Sequence, residues 1–363
     1  MGPYSEVELG RLRVERSGSL SGGGTTHGVF RCRAPDGEAL LFKEYRPGTR
    51  GEVDPSVLRA HVRWRQQLSP ADRRRLDALA AWPTAVVREG RTVAGVLMNE
   101  APREFFEDKE PGAVRDLTAL ARDPDYSARY HAPHFPAPRK LAALGHLLQS
   151  LAFLHGLDVV VGDLQPRNVL TTGTTGVPRV YFLDCDAYLV EGKNPFRVVR
   201  EPEPWRVPGA KTFTERTDLY KAALLVARCL AENLALHDLR PRMFADVLPS
   251  VDVDVLRALT APDRPGRPAM RAAELRPMAQ AWQALVREDG AMYVRNDTYA
   301  MARWPVPTGP GTARPSRGTP PHHTRTGEPA RSTVRRPDTA ATPRKGWLRR
   351  FLDFFRGSPA NRR

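Results

Sequence analysis

The sequence predicts an α+β protein: a small β-rich lobe, then a larger helical lobe, then a disordered tail. Three observations predict it. Short apolar runs of strand character fill the first hundred residues, with a single helical stretch among them. From about Arg139 the apolar residues recur at helical spacing instead. Beyond Trp304 the composition collapses into Pro, Thr, Gly, Arg and Ser. Strands first and helices afterwards is the order of an α+β chain rather than of alternating βα units.

The first lobe is expected over residues 5–100. Glycines cluster at Gly18 and at Gly22, Gly23 and Gly24, a turn-forming composition. Strands are predicted over residues 29–32 and 39–43, and residues 57–68 have helical spacing. Residues 82–87 and 92–98 read as two strands joined by Glu89-Gly90. In the second lobe, residues 101–290, the stripe Leu141, Leu144, Leu147, Leu148, Leu151 and Leu154 marks a helix buried in a core. Residues 219–230 are apolar nearly all round, as a central helix should be. Residues 305–344 hold too few apolar side chains to offset chain entropy and are predicted to be disordered. Residues 345–357 form a basic amphipathic helix: Trp347, Leu348, Phe351, Leu352 and Phe355 share one face, with Lys345, Arg349, Arg350 and Arg356 mostly opposite.

At 363 residues the chain has room for two ordinary domains, or one two-lobed domain with an appendage. Cys32, Cys185 and Cys229 are odd in number and far apart, which argues against a disulfide framework or a zinc site and fits a reducing cytosol. No segment has the build of a signal peptide, and no apolar run approaches the roughly 20 residues that span a bilayer, so a soluble protein is expected. The net charge is +15. Residues 303–363 carry 14 Arg/Lys against 3 Asp/Glu, so +11 of that total lies in the tail and about +4 in the body. A basic tail on a near-neutral body argues against a nucleic-acid-binding face.

The chemistry concentrates in residues 159–186. Asp163 and Asn168 lie five positions apart between the apolar runs Val159-Val160-Val161 and Val169-Leu170, and Asp184 ends a further run, Val180 to Leu183. Strand, loop, strand, turn, strand, acid is a layout that aims two carboxylates and an amide at one magnesium-bound phosphate. It resembles the catalytic and metal-binding segments of the protein kinases. Further matches extend the resemblance from about Gly18 to Leu275. Lys43 ends an apolar strand 14 residues after Val29, in the place of the strand lysine that pairs with the α- and β-phosphates. Gly22, Gly24 and Val29 fit part of the glycine-rich loop, with His27 at its third glycine place. Thr217-Asp218-Leu219-Tyr220 looks like the start of the helix whose Asp holds the catalytic-loop backbone. Arg267-Pro268 looks like the late Arg-Pro motif, with Glu203 as a candidate partner. The pattern is closest to divergent bacterial serine/threonine-kinase-like proteins with a Gly-Asp-Leu loop and Asp-x-Asp in place of DFG. The resemblance implies a two-lobed protein-kinase-like fold that binds ATP and Mg2+. It further implies Asp163 as catalytic base with Lys43 as a second catalytic residue, Asn168 and Asp184 as metal ligands, and Lys43, Gly22, Gly24 and Val29 as nucleotide-binding residues.

Four departures stand out. Gly162 replaces the Arg before the catalytic Asp, so activation through phosphorylated Thr212, Thr214 or Thr217 is not expected. Gln165 replaces the catalytic-loop Lys. Asp186 stands where a flexible Gly belongs, as a further metal ligand or a turn-former. The helix at 57–68 carries Arg59, His61, Arg63 and Arg65 but no acid to pair with Lys43; Glu52 and Asp72 flank it.

The expected function is transfer of the γ-phosphoryl group of ATP to protein Ser/Thr hydroxyls, with autophosphorylation of the Thr- and Ser-rich tail, in the cytoplasm. Two alternatives stay open. One is a nucleotide-binding pseudokinase scaffold with a docking helix; the other is a small-molecule phosphotransferase of the aminoglycoside or choline kinase type. Besides the protein substrate, the tail helix suits an anionic membrane surface or a groove on a partner protein.

Overall fold

Six extended segments pair into one sheet: β1 (Glu6–Glu8), β2 (Arg13–Val14), β3 (Thr26–Arg33), β4 (Ala39–Tyr45), β5 (Pro83–Glu89) and β6 (Thr92–Met98). Their spatial order is β1-β5-β6-β4-β3-β2. All neighbours run antiparallel except β1, which lies parallel to β5. This computed structural model describes residues 5–287 apart from 18–19, 21–25, 108–111, 131, 198–200, 237–239, 241–242, 245 and 262–269; it also describes Met292. All of these lie within residues 1–306.

Successive side chains of a strand face opposite sides, and β4 uses both. Leu40 and Phe42 join Phe30, Ala85, Val87 and Leu97 in the core of one face. Lys43 and Tyr45 share the other face, where Tyr45 packs with Val86 and Val96. Val29 lies directly opposite Lys43 across the β3–β4 pair. On the far side of β4, the β6 backbone passes so near that a Cβ on Gly95 would fall 1.9 Å from the Lys43 carbonyl oxygen. Only glycine fits there.

Three helices separate β4 from β5: α1 (Pro47–Arg50), α2 (Pro55–Gln67) and α3 (Pro70–Leu79). Asp54 starts α2 by accepting the amides of Ser56 (2.8 Å) and Val57 (3.3 Å), and proline at the first turn has no amide to leave unpaired. Leu58 and Val62 press α2 onto the sheet. Arg65 forks onto Asp77 of α3 through two 2.7 Å bonds. The chain before α2 is tied to a later segment, because Asp54 donates to the Pro195 carbonyl and Arg197 to that of Glu52.

The rest of the chain carries α4 (Pro124–Tyr130), α5 (Ala137–His155), β7 (Val159–Val160), β8 (Val169–Thr171), β9 (Val180–Phe182) and β10 (Leu189–Val190). It continues with α6 (Glu215–Leu230), α7 (Ser250–Thr260) and α8 (Arg276–Gln283). The β8–β9 and β7–β10 pairs are both antiparallel. The leucine stripe of α5 is sealed in the largest core together with Leu219, Leu225 and Val226 of α6 and Met278 and Trp282 of α8. Leu76, Leu79, Ala80 and Trp82 belong to that same core, whereas Ala81 between them packs with Val29, Leu41 and Met98 of the sheet.

The α+β class is as expected, with strands ahead of helices. The helix expected over 57–68 runs Pro55–Gln67, and the strand expected over 82–87 runs Pro83–Glu89. The pattern gave no sign of β1, whose three residues are stabilised by pairing with β5, nor of α3, whose Asp72, Arg73, Arg74 and Arg75 dilute its apolar stripe. The expected linker, the tail helix and Arg267-Pro268 lie outside the described residues. Glu203, the candidate partner of Arg267, bonds Arg206 at 2.6 Å. No helix among the described residues is long and apolar enough to cross a membrane.

Asp252, in the first turn of α7, sits almost without exposure in the main core. Its Oδ2 accepts the Trp282 indole N–H at 2.9 Å, and its Oδ1 has no partner. Burial pushes its pKa up to about 6, with the indole bond acting against that rise. A raised carboxyl pKa means the folded state holds the proton more tightly, so stability is full below the unfolded pKa and is lost as pH rises through about 6. Asp252→Asn keeps an acceptor for Trp282 and removes the buried charge. The variant should be more stable than the parent by up to about 3 kcal/mol near neutral pH, and the difference should vanish near pH ~4 in denaturant titrations.

Candidate active site

Asp163 is placed by a loop clamped to α6. Asp218 is shut off from solvent, and its two carboxylate oxygens accept the amides of Val161 and Gly162, each at 2.8 Å. His155 Nε2, at the end of α5, lies 3.0 Å from Asp218 Oδ2. Lys221, one turn further along α6, donates to the Gly162 carbonyl at 2.5 Å and also pairs with Glu201. Spacing of three residues puts Asp218 and Lys221 on one helix face. Thr214 and Thr217 cap the start of α6 reciprocally, which commits both hydroxyl groups locally.

Gly162 has φ +74°, and a Cβ there would meet the Phe213 ring at 3.0 Å. Left-handed backbone and a ring overhead both demand glycine at this position.

After Asp163 a 3-10 turn, Pro166–Asn168, brings Asn168 back under the loop. Its Nδ2 donates to the Asp163 backbone oxygen (3.0 Å) and to Asp163 Oδ2 (2.9 Å), while Gln165 Nε2 donates to the same Oδ2 at 2.8 Å. Asp163 Oδ1 is buried and has no partner. Burial holds the Asp163 carboxyl above the usual range, against the Gln165 bond, and the nearby charge of Asp184 adds to the rise. Gln165 thus steadies the aspartate instead of supplying a cation.

The β8–β9 hairpin carries the chain to the second acid. Val169 pairs with Phe182, and just beyond them the Leu183 amide donates to the Asn168 carbonyl at 2.8 Å. Asp184 turns the chain with φ +56°, a left-handed conformation that aspartate tolerates better than most residues. Its side chain is 53% exposed, and Oδ1 lies 3.0 Å from Lys43 Nζ. A 3-10 turn, Cys185–Ala187, then points Asp186 inward. Asp186 Oδ1 takes Lys43 at 2.6 Å and its Oδ2 accepts the Tyr45 hydroxyl at 2.8 Å.

Lys43 is 2% exposed, and burial disfavours its charge, but Asp184 and Asp186 outweigh burial and hold its pKa above the ordinary lysine value. Two carboxylates therefore reach Lys43, neither of them from α2. Asp186 is thus more than a turn-former: both of its oxygens are engaged, by Lys43 and by Tyr45.

Of the site residues expected from sequence, Asp163, Asn168, Asp184 and Lys43 come together, and Val29 lies across from Lys43. Gly22 and Gly24 lie outside the described residues. Tyr45 and Lys221 were not foreseen. Both were readable in principle, Tyr45 by its two-residue spacing from Lys43 and Lys221 by its three-residue spacing from Asp218. No protein-family model matches the chain, and no curated protein matches its sequence.

The donor set suits magnesium. Carboxylate and amide oxygens are hard donors, and magnesium is usually held by one or two side chains with phosphate and water filling the rest. Among the described residues no three His, Cys, Asp or Glu groups cluster to hold a metal by themselves, so Asn168 and Asp184 would need such help.

Replacing Asp218 by Ala should leave the Val161 and Gly162 amides buried without acceptors and lower stability by about 3–5 kcal/mol. In hydrogen exchange those two amides should lose protection well beyond the amides of β7. Unchanged protection would show that the loop is held by something else.

Proposed function

We propose that this chain has the two-lobed protein-kinase-like fold, binds ATP, and transfers its γ-phosphoryl group to a Ser or Thr hydroxyl of a protein, itself included, in the cytoplasm. The observation that carries this reading is the meeting of Asp163, Asn168 and Asp184 at the end of one hairpin, beside a lysine from the sheet. Phosphoryl transfer asks little covalent help of a protein and much positioning, and these residues are held on rigid elements.

In this reading the unpartnered Oδ1 of Asp163 accepts the proton of the attacking hydroxyl. Asn168 fixes the other oxygen, so the free one keeps its aim. Asn168 and Asp184 would hold Mg2+, which when bound neutralises charge on the phosphates. Lys43 presents its ammonium to the α- and β-phosphates, and its raised pKa keeps that charge through the physiological range. The two carboxylates at Lys43 favour a catalytic chain over a non-catalytic scaffold. The tail helix, on this proposal, brings the chain to an anionic membrane or a partner protein.

Purified chain with labelled ATP and Mg2+ should label itself, and Asp163→Asn should lower the rate by about 100-fold or more. The parent rate should climb with pH through the raised Asp163 pKa, since only the charged carboxylate takes a proton. Labelling retained in Asp163→Asn would remove that residue from the mechanism. ATP turnover stimulated by alcohols or amino sugars, with no labelled protein, would move the assignment to a small-molecule phosphotransferase.

A further inference from the structure

A buried lysine needs a counter-ion that stays when its other partners change. Helix α2 offers none: its thirteen residues contain no Asp or Glu. Three of its four basic residues are engaged elsewhere. Arg65 is forked onto Asp77, Arg59 pairs with Glu6, and buried His61 lies 3.3 Å from the Lys193 carbonyl through Nε2.

The two acids that do reach Lys43 differ in kind. Asp184 is half-exposed and touches the lysine through one oxygen. Asp186 has 3% side-chain exposure and both oxygens committed, one to Lys43 and one to Tyr45. Lys43 and Tyr45 are two apart on β4, so one carboxylate bridges adjacent side chains of a single strand face. The Tyr45 bond fixes the plane of the carboxylate, and the short loop from Asp184 fixes its height.

We infer that Asp186 is the positioning residue for Lys43, oriented by Tyr45, and that it takes the place of a helix-borne acid. The inference rests on the nucleotide-binding reading above. When Asp184 engages metal and phosphate, Lys43 keeps a full counter-charge in Asp186 and its ammonium remains directed at the phosphates. The lysine is thereby tied to the turn that carries Asp184, and displacement of α2 alone would not unpair it.

Calorimetry of ATP binding in the presence of Mg2+, on the full chain, tests this. Asp186→Asn, folded by circular dichroism, should bind ATP about tenfold more weakly or worse at neutral pH. Asp186→Glu should recover part of the affinity. If Asp186→Asn does not fold, Tyr45→Phe serves instead, with a smaller loss of affinity expected, since the charge pair is intact. Parent-like affinity in Asp186→Asn, no recovery in Asp186→Glu, or parent-like affinity in Tyr45→Phe where only that variant folds, would overturn the inference and leave the nucleotide reading standing. A parent chain that takes up no ATP would overturn both.

Discussion

One carboxylate without solvent contact holds the candidate site to the core. Asp218 receives two consecutive backbone amides from the loop before Asp163 and meets His155 from α5. Pulling the loop away would leave a charge in an apolar interior, at a cost of several kcal/mol. The helix that carries Asp218 is packed all round by the main core, so the loop inherits its rigidity. Asp163 follows directly, and Asn168 is brought back to it by a 3-10 turn. The hairpin register then sets Asp184 through the bond from Leu183 to Asn168. Each placement depends on the one before it.

The sheet joins this chain of placements at Lys43. Without acid partners a lysine so deeply buried would shed its proton. Asp184 and Asp186 prevent that, and in doing so they fasten β4 to the turn after β9. A second tie lies nearby, where residues 52–54 exchange backbone hydrogen bonds with residues 195–197. Electrostatics at the lysine and backbone pairing beside it therefore hold the same two parts together. Such a junction keeps Lys43 and Asp184 at fixed separation, which the proposed phosphotransfer requires.

Much of this was legible in the residues. The leucine stripe of α5 and the alternation in β4 report burial directly, because a helix or strand packed against a core repeats its apolar side chains at its own period. Asp163, Asn168 and Asp184 were legible because the apolar runs flanking them reveal strands, and strand ends fix where a side chain can go. The role of Asp186 was not. Its partners lie more than 140 positions away in the chain, and no local period encodes such a meeting. The search for a counter-ion on α2 misled for the same reason: helix spacing says which face is buried, not which charge the neighbouring strand needs. Gly162 looked like a lost arginine until its positive φ and the Phe213 ring gave it a reason of its own.

On the proposed function, oxygen atoms of Asn168 and Asp184 would hold one divalent ion against the phosphates of a nucleotide, with Asp163 facing the terminal phosphate and Lys43 the inner ones. A crystal structure with a nonhydrolysable ATP analogue and Mg2+ tests it most directly. The account predicts the ion in contact with both side chains and Lys43 within hydrogen-bonding distance of a phosphate oxygen. An analogue bound elsewhere, or phosphates lying away from these four residues, would contradict it.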